Sequence, residues 1–447
     1  MTTATFHPAR LHGTAPVPPA KSEAHRALLL AALGRGVCRL HGFPPPLCDD
    51  TEAMINGISA LGACVEREGD VLVVTPAPPA PALAEPQTFH VNACAAALRM
   101  LIPAFWARGQ SVRITMEEGL FARPLDAFAP LAERIGGSLT LTPPTNGCPA
   151  AVELRGKMDA GLYEIDGTLS SQFASGLLVS LSHGMDTTGR LAPSQLTVTR
   201  PIVSRPYLDM TLAQMKRFGI GYQEREEGVF TLLPAESRNP DDIDVAGDWS
   251  QGAVLLCANA MGNGVAVQGL HEPMAGKPLM QGDARIVEIL KSMGLSACQR
   301  SGVLWMTGIP ESGLAPLALD CTDIPDIVPI LALTCTQAKG TSVLTGVKRL
   351  RVKECDRLDA TVGLLTRLGA KIQASGDSDT LTVEGQGTAT LCGGFTADAR
   401  GDHRMVMLLA TAALIADAPI TVTGVNSLDK SWPGFLAAYQ ALGGMIS

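Results

Sequence analysis

The segment Asp283-Ala-Arg-Ile-Val-Glu-Ile-Leu-Lys-Ser-Met293, followed by Gly294, carries the pattern that decides the fold. Its apolar residues recur at helical spacing, which predicts an amphipathic helix with glycine in the C′ position after its end. Similar stretches, such as Arg123–Ile135, end in a large apolar residue before Gly62, Gly136, Gly219, Gly294, Gly369 and Gly443. Subtraction of these positions gives separations of 74, 83, 75, 75 and 74 residues. The chain is therefore predicted to contain six copies of one unit.

Alternating strands follow most of these glycines, and a second, more apolar helix opens each unit. Val71–Thr75, Ser138–Thr142 and Thr380–Val383 alternate apolar and polar residues, which predicts strands. Segments such as Ala27–Leu33 and Val406–Ile415 are almost wholly apolar and are expected to form buried helices. Most openings of these helices supply good N-cap residues. The openings are Lys21-Ser22-Glu23, Asn92-Ala93-Cys94, Ser170-Ser171-Gln172, Asp248-Trp249-Ser250, Asp323-Ile-Pro-Asp326 and Asp402-His403-Arg404.

These openings are candidate anion sites. Helix N-termini carry partial positive charge, so several of them directed at one cleft would attract anions. Lys21, Arg26 and Arg404 add cations at two of the openings, where a positive charge is unfavourable unless an anion binds nearby. Polar caps that bind no ligand are the alternative explanation, because they occur in every protein.

The two ends of the chain are predicted to share one unit. Too few residues follow Gly443 to form closing strands, whereas Ala4–Pro19 precedes the first opening helix. We therefore expect the N-terminal segment to complete the sixth unit. The predicted domains are residues 1–17 plus 244–447 (domain I) and residues 18–243 (domain II), with the active site in the cleft between them.

Composition excludes several classes of protein. Hydrophobic residues make up 46% and charged residues 17% of the 447 residues, as in ordinary folded proteins. The net charge of −8 argues against a nucleic-acid partner but permits a small anionic substrate at a local cluster of cations. The longest apolar run, Met405–Ala416, is too short to span a membrane, and Met1–Pro19 lacks the pattern of a secretory signal, so a cytoplasmic location is expected. Eleven cysteines without a C-x-x-C pair are expected to be reduced, buried thiols, and no metal site is expected.

The densest charged segment is Lys348–Arg357 (KRLRVKECDR), with five cations and two carboxylates. The start of a solvated helix is one explanation. However, Asp323 and Asp326 lie upstream, and Asp402-His-Arg404 lies downstream, each at the opening of another helix. Separate repeats are therefore expected to contribute to one site.

Nine motifs, taken in order, resemble the 5-enolpyruvylshikimate-3-phosphate synthase family over nearly the whole chain. Each motif alone is a weak signal, whereas all nine in sequence are specific. They are Lys21-Ser22 with His25-Arg26; Ser170-Ser171-Gln172-Phe173; Ser204-Arg-Pro-Tyr207; Gly247-Asp248-Trp-Ser250; Gln281-Gly-Asp283; Ile324-Pro-Asp326; Arg351-Val-Lys-Glu-Cys-Asp-Arg357; Asp402-His-Arg404; and Lys430-Ser-Trp-Pro433.

The resemblance implies a two-domain inverse α/β barrel built from six βαβαββ units. It also implies a monomeric enzyme of the shikimate pathway, which leads to aromatic amino acids, with neither a metal nor an organic cofactor. Its substrates would be phosphoenolpyruvate and shikimate 3-phosphate. The enolpyruvyl group would pass to the 5-hydroxyl of shikimate 3-phosphate, and phosphate would be released.

The matched motifs also imply roles for individual residues. Asp326 near the 5-hydroxyl and Glu354 near C3 of the enolpyruvate, with Lys21 assisting, would be the acid and base groups. Because the implied anion binders come from both domains, shikimate 3-phosphate is expected to draw the domains together. The implied contacts to shikimate 3-phosphate are Ser22, Arg26, Ser170, Ser171, Ser204, Tyr207, Asp326 and Lys353, and those to phosphoenolpyruvate are Lys21, Gln172, Arg357, Arg404 and Lys430.

Two segments depart from the family pattern. Family members usually carry the loop Asn/Glu-x-Gly-Thr/Ser-x-Met/Leu-Arg, whereas Ala93–Arg99 has Ala95 at the glycine and Ala96 at the hydroxyl residue. An arginine expected shortly before Arg123-Pro124 is replaced by Gly119. Loss of one charge-assisted hydrogen bond costs roughly 1.5–3 kcal/mol, so weakened binding of phosphoenolpyruvate is expected. In the family, alanine at the loop glycine is associated with insensitivity to the herbicide glyphosate.

Other interpretations stay open on the sequence alone. A paralogue could keep the fold and the site for the phosphorylated ring with little or altered transferase activity. The sister activity, enolpyruvyl transfer to a nucleotide sugar, usually places a reactive cysteine shortly before its Arg-Pro pair, and Glu117–Ala122 contains none. Ala275-Gly-Lys-Pro278 is similar to a phosphate loop, but it has His271 where glycine is required and Pro278 in place of serine or threonine.

Overall fold

The computed structural model describes residues 2–78, 86–236, 238–270 and 281–447. The stretch similar to a phosphate loop, Ala275–Pro278, lies outside the described residues. The α-helices are α1 (Lys21–Leu33), α2 (Asp49–Ala60), α3 (Ala95–Arg108), α4 (Glu118–Phe121), α5 (Ala129–Arg134), α6 (Ser171–Ser182), α7 (Arg205–Arg217), α8 (Trp249–Ala260), α9 (Ile286–Ser292), α10 (Val328–Cys335), α11 (Arg357–Arg367), α12 (His403–Ala413) and α13 (Phe435–Ala441).

Short strands alternate with these helices. They are β1 (Thr3–Phe6), β2 (His12–Pro16), β3 (Cys38–His41), β4 (Cys64–Glu68), β5 (Val71–Thr75), β6 (Gln87–His90), β7 (Val112–Met116), β8 (Ser138–Thr142), β9 (Ala150–Arg155), β10 (Leu162–Ile165), β11 (Ser194–Val198), β12 (Tyr222–Glu226), β13 (Val229–Leu232), β14 (Asp242–Asp244), β15 (Gly264–Gln268), β16 (Ser296–Arg300), β17 (Val303–Thr307), β18 (Ala318–Asp320), β19 (Lys339–Thr345), β20 (Lys371–Ala374), β21 (Thr380–Gln386), β22 (Phe395–Asp398) and β23 (Ile420–Thr423). Short 3-10 helices span Asp126–Phe128, Gly282–Arg285, Pro325–Ile327, Lys348–Val352 and Val425–Lys430.

The sheets repeat one topology. In the sheet β6-β7-β9-β8, β6 is parallel to β7, β7 is antiparallel to β9, and β9 is antiparallel to β8. The same order and directions occur in β10-β11-β13-β12, β14-β3-β5-β4, β16-β17-β15-β2 read from β2, and β18-β19-β21-β20. In the remaining sheet, β22 is parallel to β23, and β1 from the N-terminal segment pairs antiparallel with β23. The repeat read from the glycines is therefore a structural repeat.

Contacts divide the chain into two compact units. The terminal unit contains the described parts of Met1–Pro18, Ala246–Lys277 and Gln281–Ser447, and the inserted unit contains those of Pro19–Val245. In the inserted unit the buried helices α1, α3 and α6 pack against one another, and in the terminal unit α8, α10 and α12 do the same. Because these helices are apolar on all sides, each unit encloses them with the sheets outside. This is the inverse arrangement that the resemblance implied.

Six glycines end the more polar helices, as the spacing predicted. Gly62, Gly136, Gly219, Gly294, Gly369 and Gly443 all have positive φ, between 60° and 108°. At Gly294, Pro310 lies 2.5 Å from the position that a Cβ would occupy, so a side chain is excluded there by space as well as by the backbone angle. The glycine pattern therefore marks the turn from each helix into its hairpin.

Two predicted helices are shorter than their sequence pattern. Arg123–Ile135 forms a 3-10 turn at Asp126–Phe128 and then helix α5, because Pro130 has no N–H to bond back to the preceding turn. Asp283–Met293 likewise begins in a 3-10 turn before α9. The predicted strands Val71–Thr75 and Ser138–Thr142 agree with β5 and β8, and Thr380–Val383 lies within β21.

The cysteines are free thiols, but fewer of them are buried than predicted. Cys38, Cys94, Cys257, Cys321 and Cys335 are buried, whereas the other six are partly or fully exposed. Two of those six, Cys64 and Cys298, lie on the polar strands β4 and β16, where composition alone does not reveal burial. Within the described ranges, no helix is long and apolar enough to cross a membrane.

Candidate active site

Arg357 is the centre of a charged cluster in the terminal unit. It is the first residue of α11, and its side chain is 1% exposed. Its Nε donates to Asp402 Oδ2 at 2.9 Å, and its Nη1 donates to Asp326 Oδ1 at 2.9 Å. Its Nη2 donates to Glu354. A guanidinium bound on three sides by carboxylates is held in one orientation with its charge offset.

Helix starts position the members of this cluster. Asp402 is the N-cap of α12, and its Oδ1 accepts from Arg404 N at 2.9 Å. Asp326 lies in the 3-10 helix that leads into α10. Lys353 and Glu354 lie in the short connection before α11. Two repeats, one with Asp326 and Arg357 and the next with Asp402 and Arg404, therefore contribute to one cluster, as the charged segment and its flanking aspartates predicted.

Asp326 lies among the cations of this cluster. Lys353 Nζ is 3.1 Å from Asp326 Oδ1, and Arg404 Nη2 is 3.7 Å from Asp326 Oδ2. Burial favours the neutral carboxyl, but the charges of Lys353, Arg404 and Arg357 outweigh it and hold the pKa of Asp326 well below its usual range. Burial has the larger effect on Lys353 and lowers the pKa of its ammonium group. Asp326 is thus ionised at neutral pH and faces three cations.

Asp283 is a second buried carboxyl in this unit, with the opposite electrostatic environment. Burial, followed by the negative charge of Asp326, raises the pKa of Asp283 to about 7. Ser250 donates a hydrogen bond to Asp283 Oδ2, while Oδ1 is buried without a hydrogen-bond partner. Two neighbouring carboxyls are therefore driven to different protonation states, which is the arrangement expected of acid and base groups.

The raised pKa of Asp283 predicts a change in stability with pH. In the unfolded chain this carboxyl ionises near pH 4, so between about pH 4 and 7 the folded protein retains a proton that the unfolded chain has lost. The contribution of Asp283 to stability is thus present below pH 4 and is lost as the pH rises through about 7. At about 1.4 kcal/mol per pKa unit, this loss amounts to a few kcal/mol.

Asp283→Asn is expected to lack this pH dependence, because an amide keeps the acceptor for Ser250 without ionising. Urea unfolding from pH 4 to 8 should give a variant that gains stability relative to the wild type as the pH rises. Glu311→Gln, at an exposed position of the same unit, is the control. Parallel pH profiles for the wild type and Asp283→Asn would show that Asp283 titrates normally.

Lys21 is the first residue of α1 in the inserted unit and is paired with a buried aspartate. Its Nζ lies 2.8 Å from Asp50 Oδ2, and Asp50 is in the first turn of α2. His25 lies one turn further along α1, with Nε2 at 2.9 Å from the Asp50 carbonyl oxygen. Burial is the main reason that the pKa of His25 falls to about 4, so its ring is neutral. Lys21 is therefore the cation of this group.

Arg26 joins two of the predicted contacts to shikimate 3-phosphate. Its Nη1 donates to the Ser22 carbonyl oxygen at 2.7 Å, and its Nη2 donates to the Tyr207 carbonyl oxygen at 3.0 Å. Its Nε donates to Thr211 Oγ1 at 2.7 Å, and Nη2 also reaches Ser175 Oγ at 3.0 Å. Burial lowers the pKa of Arg26 to about 10, which leaves it charged at neutral pH. Its guanidinium thus fixes the start of α1 to the start of α7.

Gln172 is oriented by a buried arginine. Arg99 Nη1 donates to Gln172 Oε1 at 3.0 Å, and Arg99 Nη2 donates to the Pro124 carbonyl oxygen at 3.0 Å. The Arg99 guanidinium also stacks 4.7 Å from the ring centroid of Phe173. An arginine only donates, so Gln172 must accept through its oxygen and present its NH₂ group elsewhere. The NH₂ group of Gln172 is therefore the part of this side chain that can donate a hydrogen bond.

The other predicted residues lie at helix starts or ends. Ser170 is the N-cap of α6, with Oγ accepting from Gln172 N at 3.3 Å, and Ser171 follows it. Ser204, before α7, has φ of 54°, an uncommon angle for a residue with a side chain. Lys430 is buried at the end of the 3-10 helix Val425–Lys430.

The structure brings the predicted residues together in groups. Asp326, Lys353, Glu354, Arg357 and Arg404 form one cluster in the terminal unit. Ser22, Arg26 and Tyr207 form a second group in the inserted unit. Within the described residues, no group of three or more histidine, cysteine, aspartate and glutamate side chains is arranged to hold a metal ion.

Several residues of these groups had no predicted role. Asp50, Arg99, Asp283 and Asp402 each touch a predicted site residue or share its cluster. Asp283 and Asp402 are part of two of the motifs quoted above, and Arg99 is the last residue of the unusual loop Ala93–Arg99. Their positions in the sequence could therefore have indicated that they belong to the site. The only sequence feature of Asp50 is its position in the first turn of a helix, and acidic residues are common there in helices without a functional role.

The two unusual segments lie at helix starts in the inserted unit. Ala95 begins α3, and the Cys94 sulfur caps this helix by accepting from Ala97 N at 3.4 Å. Gly119 lies in α4, where an added Cβ would meet no atom within 4 Å. A Cβ atom at position 119 would therefore meet no steric obstacle.

The chain is similar in sequence to proteins of one family. A family model for EPSP synthase (3-phosphoshikimate 1-carboxyvinyltransferase) matches residues 6–438. The chain is 33% identical over 434 residues to a 3-phosphoshikimate 1-carboxyvinyltransferase of Methanocorpusculum labreanum, which covers 97% of each protein. It is 31% identical over 449 residues to the protein of the same name from Clostridioides difficile, covering 99% of this chain and 97% of that protein.

Solved structures of this fold are also similar. The EPSP synthase of Acinetobacter baumannii has a TM-score of 0.77 at 22% identity and covers 100% of both chains. The enolpyruvyl transferase NikO of Streptomyces tendae has a TM-score of 0.72 at 16% identity, covering 100% of this chain and 98% of that one. These structures confirm the predicted fold class. Because the family model and the relatives extend over nearly all of the sequence, the chain belongs to the EPSP synthase (3-phosphoshikimate 1-carboxyvinyltransferase) family.

Proposed function

We propose that this protein transfers the enolpyruvyl group of phosphoenolpyruvate to the 5-hydroxyl of shikimate 3-phosphate and releases inorganic phosphate. The observation that carries this proposal is the ionised Asp326 among Lys353, Arg357 and Arg404. A base is needed beside cations that hold anionic substrates, and this cluster supplies both. The chain belongs to a family whose members are named 3-phosphoshikimate 1-carboxyvinyltransferase, and this membership supports the same reaction.

The reaction consists of an addition step, which breaks the C2–C3 double bond of phosphoenolpyruvate, and an elimination step, which forms that bond again; both include a proton transfer at C3. In the addition step, the 5-hydroxyl oxygen bonds to C2 of phosphoenolpyruvate, its proton passes to Asp326, and C3 gains a proton. In the elimination step, C3 loses a proton, the bond from C2 to the phosphate oxygen breaks, and phosphate leaves. We assign the groups at C3 to Glu354 with Lys21, because acid and base groups must lie within reach of the proton that they move.

We propose that the remaining site residues bind the two anions. Lys21, Gln172, Arg357, Arg404 and Lys430 are assigned to phosphoenolpyruvate, and their cations stabilise the departing phosphate. Ser22, Ser170, Ser171, Ser204, Tyr207 and Lys353 are assigned to shikimate 3-phosphate. Arg26 is assigned there as well, and its bonds to the Ser22 and Tyr207 carbonyls give it the task of holding those two residues in place.

Both predicted domains take part in this proposal. Residues 1–17 with 244–447 supply Asp326, Glu354 and the arginines, and residues 18–243 supply Lys21 and the serines. We propose that residues of both act on the same pair of substrates. The cytoplasmic location, the monomeric state and the insensitivity to glyphosate stay predictions.

Phosphate release tests the proposed function. The purified protein, given phosphoenolpyruvate and shikimate 3-phosphate together, should release inorganic phosphate in a coupled assay. Shikimate in place of shikimate 3-phosphate is the control, because it lacks the group that the serines bind. If no phosphate is released while calorimetry still shows binding of shikimate 3-phosphate, the protein is a binding paralogue and the proposal is wrong.

Position 119 provides a further prediction. Gly119→Arg is expected to lower the KM for phosphoenolpyruvate by about 10- to 100-fold, since one charge-assisted hydrogen bond contributes roughly 1.5–3 kcal/mol. The open space around this glycine allows the side chain to be added without a clash. Gly119→Gln has a similar size without the charge and should leave the KM nearly unchanged. Steady-state kinetics with equal KM values for the two variants would show that the charge has no role here.

A further inference from the structure

A cavity of about 420 Å³ lies in the inserted unit at the C-terminal ends of its three buried helices. Leu33 ends α1, Arg108 ends α3 and His183 follows the end of α6, and all three residues line the cavity. Lys21 and Ser171, by contrast, begin α1 and α6. Helices of this length span roughly 18 Å, so the cavity is separate from the residues assigned to the substrates.

The walls of this cavity are mostly apolar. They include Val37, Pro76, Ala77, Met185 and Leu191, as well as Leu33. A volume of this size accommodates a small organic molecule, and an apolar lining favours one with an aliphatic or aromatic body. The polar and charged residues at the edge of the cavity determine which polar group a bound molecule must have.

Three arginines supply positive charge at this edge. Arg35 and Arg108 line the cavity, and the Arg238 side chain lies against Gly36, another lining residue. Burial lowers the pKa of the Arg108 guanidinium. Its contacts are long, at 3.4 Å to the Leu33 carbonyl oxygen, 3.5 Å to that of Ala77 and 3.3 Å to that of Pro78. The charge of Arg108 is therefore only weakly compensated by the protein.

None of the residues that line the cavity carries a carboxylate. In the ranges that the structure describes, no carboxylate forms an ion pair with Arg35, Arg108 or Arg238. Each of the three helix C-termini contributes a partial charge of about −0.5. Several of the carbonyl oxygens at these ends already accept hydrogen bonds from backbone N–H groups. Burial lowers the pKa of His183 to about 4, so this ring is neutral. Among the lining residues, the full charges are thus those of Arg35 and Arg108, and both are positive.

We propose that this cavity is a second binding site, for a small organic anion with an apolar body and one carboxylate. The apolar body would occupy the cavity, and the carboxylate would pair with Arg35 and Arg108 at its edge. A bidentate bond to a guanidinium is the geometry that a planar carboxylate prefers. The proposal is independent of the transferase reaction.

The test uses 4-fluorobenzoate as the probe, observed by ¹⁹F NMR with the whole protein. The expected result is saturable binding of 4-fluorobenzoate that excess shikimate 3-phosphate does not displace. The neutral isostere 4-fluorobenzamide should bind at least tenfold more weakly. Equal binding of the amide, displacement by shikimate 3-phosphate, or displacement by inorganic phosphate at the same concentration as the probe would overturn the proposal.

A matched pair of variants locates the site. Val37 lines the cavity but is 42% exposed, so it can be replaced without loss of the core. Val37→Glu should weaken binding of 4-fluorobenzoate at least tenfold by repelling its carboxylate, whereas Val37→Gln should change it less than threefold. Arg35→Gln should also weaken binding, and Arg155→Gln, at an exposed position outside the lining, should not. Equal affinity in Val37→Glu and Val37→Gln, or no saturable binding by the wild type, would refute the site.

Discussion

Glu354→Gln is expected to lower kcat by about 10²- to 10⁴-fold, the usual contribution of a positioned acid or base group. Glutamine has the same shape and can still accept the hydrogen bond from Arg357 Nη2 that the carboxylate accepts. The substitution therefore removes mainly the capacity to carry a proton at C3 of the enolpyruvyl group. Since the bound geometry is kept, the loss should appear in kcat and not in the affinity for shikimate 3-phosphate.

Steady-state kinetics and calorimetry check this expectation together. Kinetics should show the fall in kcat, and titration with shikimate 3-phosphate should give a dissociation constant within about threefold of the wild type. Glu288→Gln, which removes an exposed carboxylate paired with Lys291 in the same unit, is the control and should leave both quantities unchanged. A kcat within twofold of the wild type would remove Glu354 from the proton transfer and move that role to Lys21 alone.

Asp402→Asn is expected to destabilise the protein by about 1–3 kcal/mol, the usual cost of removing one hydrogen-bonded partner from a buried charged group, because Asp326 and Glu354 still offset the charge of Arg357. Asp402 is 0% exposed and Arg357 is 1% exposed, so water cannot replace the lost charge. The Asn side chain still offers an oxygen to cap α12, so the change is mainly electrostatic. Because Arg357 is assigned to phosphoenolpyruvate, the KM for this substrate should rise as well.

The pH dependence of this pair has a defined sign. Burial opposes ionisation of Asp402, but the charge of Arg357 outweighs it and lowers the pKa of this carboxyl below its usual range. The stabilisation by Asp402 is therefore present above about pH 4, the usual pKa of an unfolded aspartate, and is lost as the pH falls through the lower folded value. Asp402→Asn should be less stable than the wild type at pH 7 and should approach it in acid.

Urea unfolding followed by tryptophan fluorescence measures this difference. Trp249, Trp305 and Trp432 lie in the same unit as Asp402, so their signals report the unit that is changed. Arg351→Gln is the control, because it breaks an ion pair with Asp356 whose partners are 41% and 36% exposed. Exposed pairs contribute about 0–1 kcal/mol. A loss of less than 1 kcal/mol in Asp402→Asn would mean that the pair is solvated in solution.

Much of the fold was predictable because it depends on local chemistry. The six glycines had to follow helices, since the turn into each hairpin needs a positive φ, and their spacing revealed the repeat. The apolar stretches near Ala27 and Val406 had to be buried because they have no polar face. The helix predicted over Arg123–Ile135 is shorter in the structure, because Pro130 has no N–H to bond back to the preceding turn.

The candidate site was predictable only in part. The motifs identified Asp326, Glu354, Arg357 and Arg404, which do form one cluster. They did not reveal that Asp402 holds Arg357, that Arg99 orients Gln172 or that Arg26 binds the Ser22 and Tyr207 carbonyls. Apart from the bond between Arg26 and Ser22 within α1, these contacts join residues from different repeats, and no local pattern encodes which side chains meet across repeats.

The sequence by itself determined the repeated unit, the positions of its helices and turns, and the kinds of charged residue at the helix starts. Those properties follow from backbone angles, helical spacing and capping, which act over a few residues. Only the tertiary structure decided which charges are paired and which carboxyl retains its proton. Asp326 and Asp283 have the same side chain, yet their pKa values move in opposite directions, because burial and nearby charges depend on residues that are distant in the sequence.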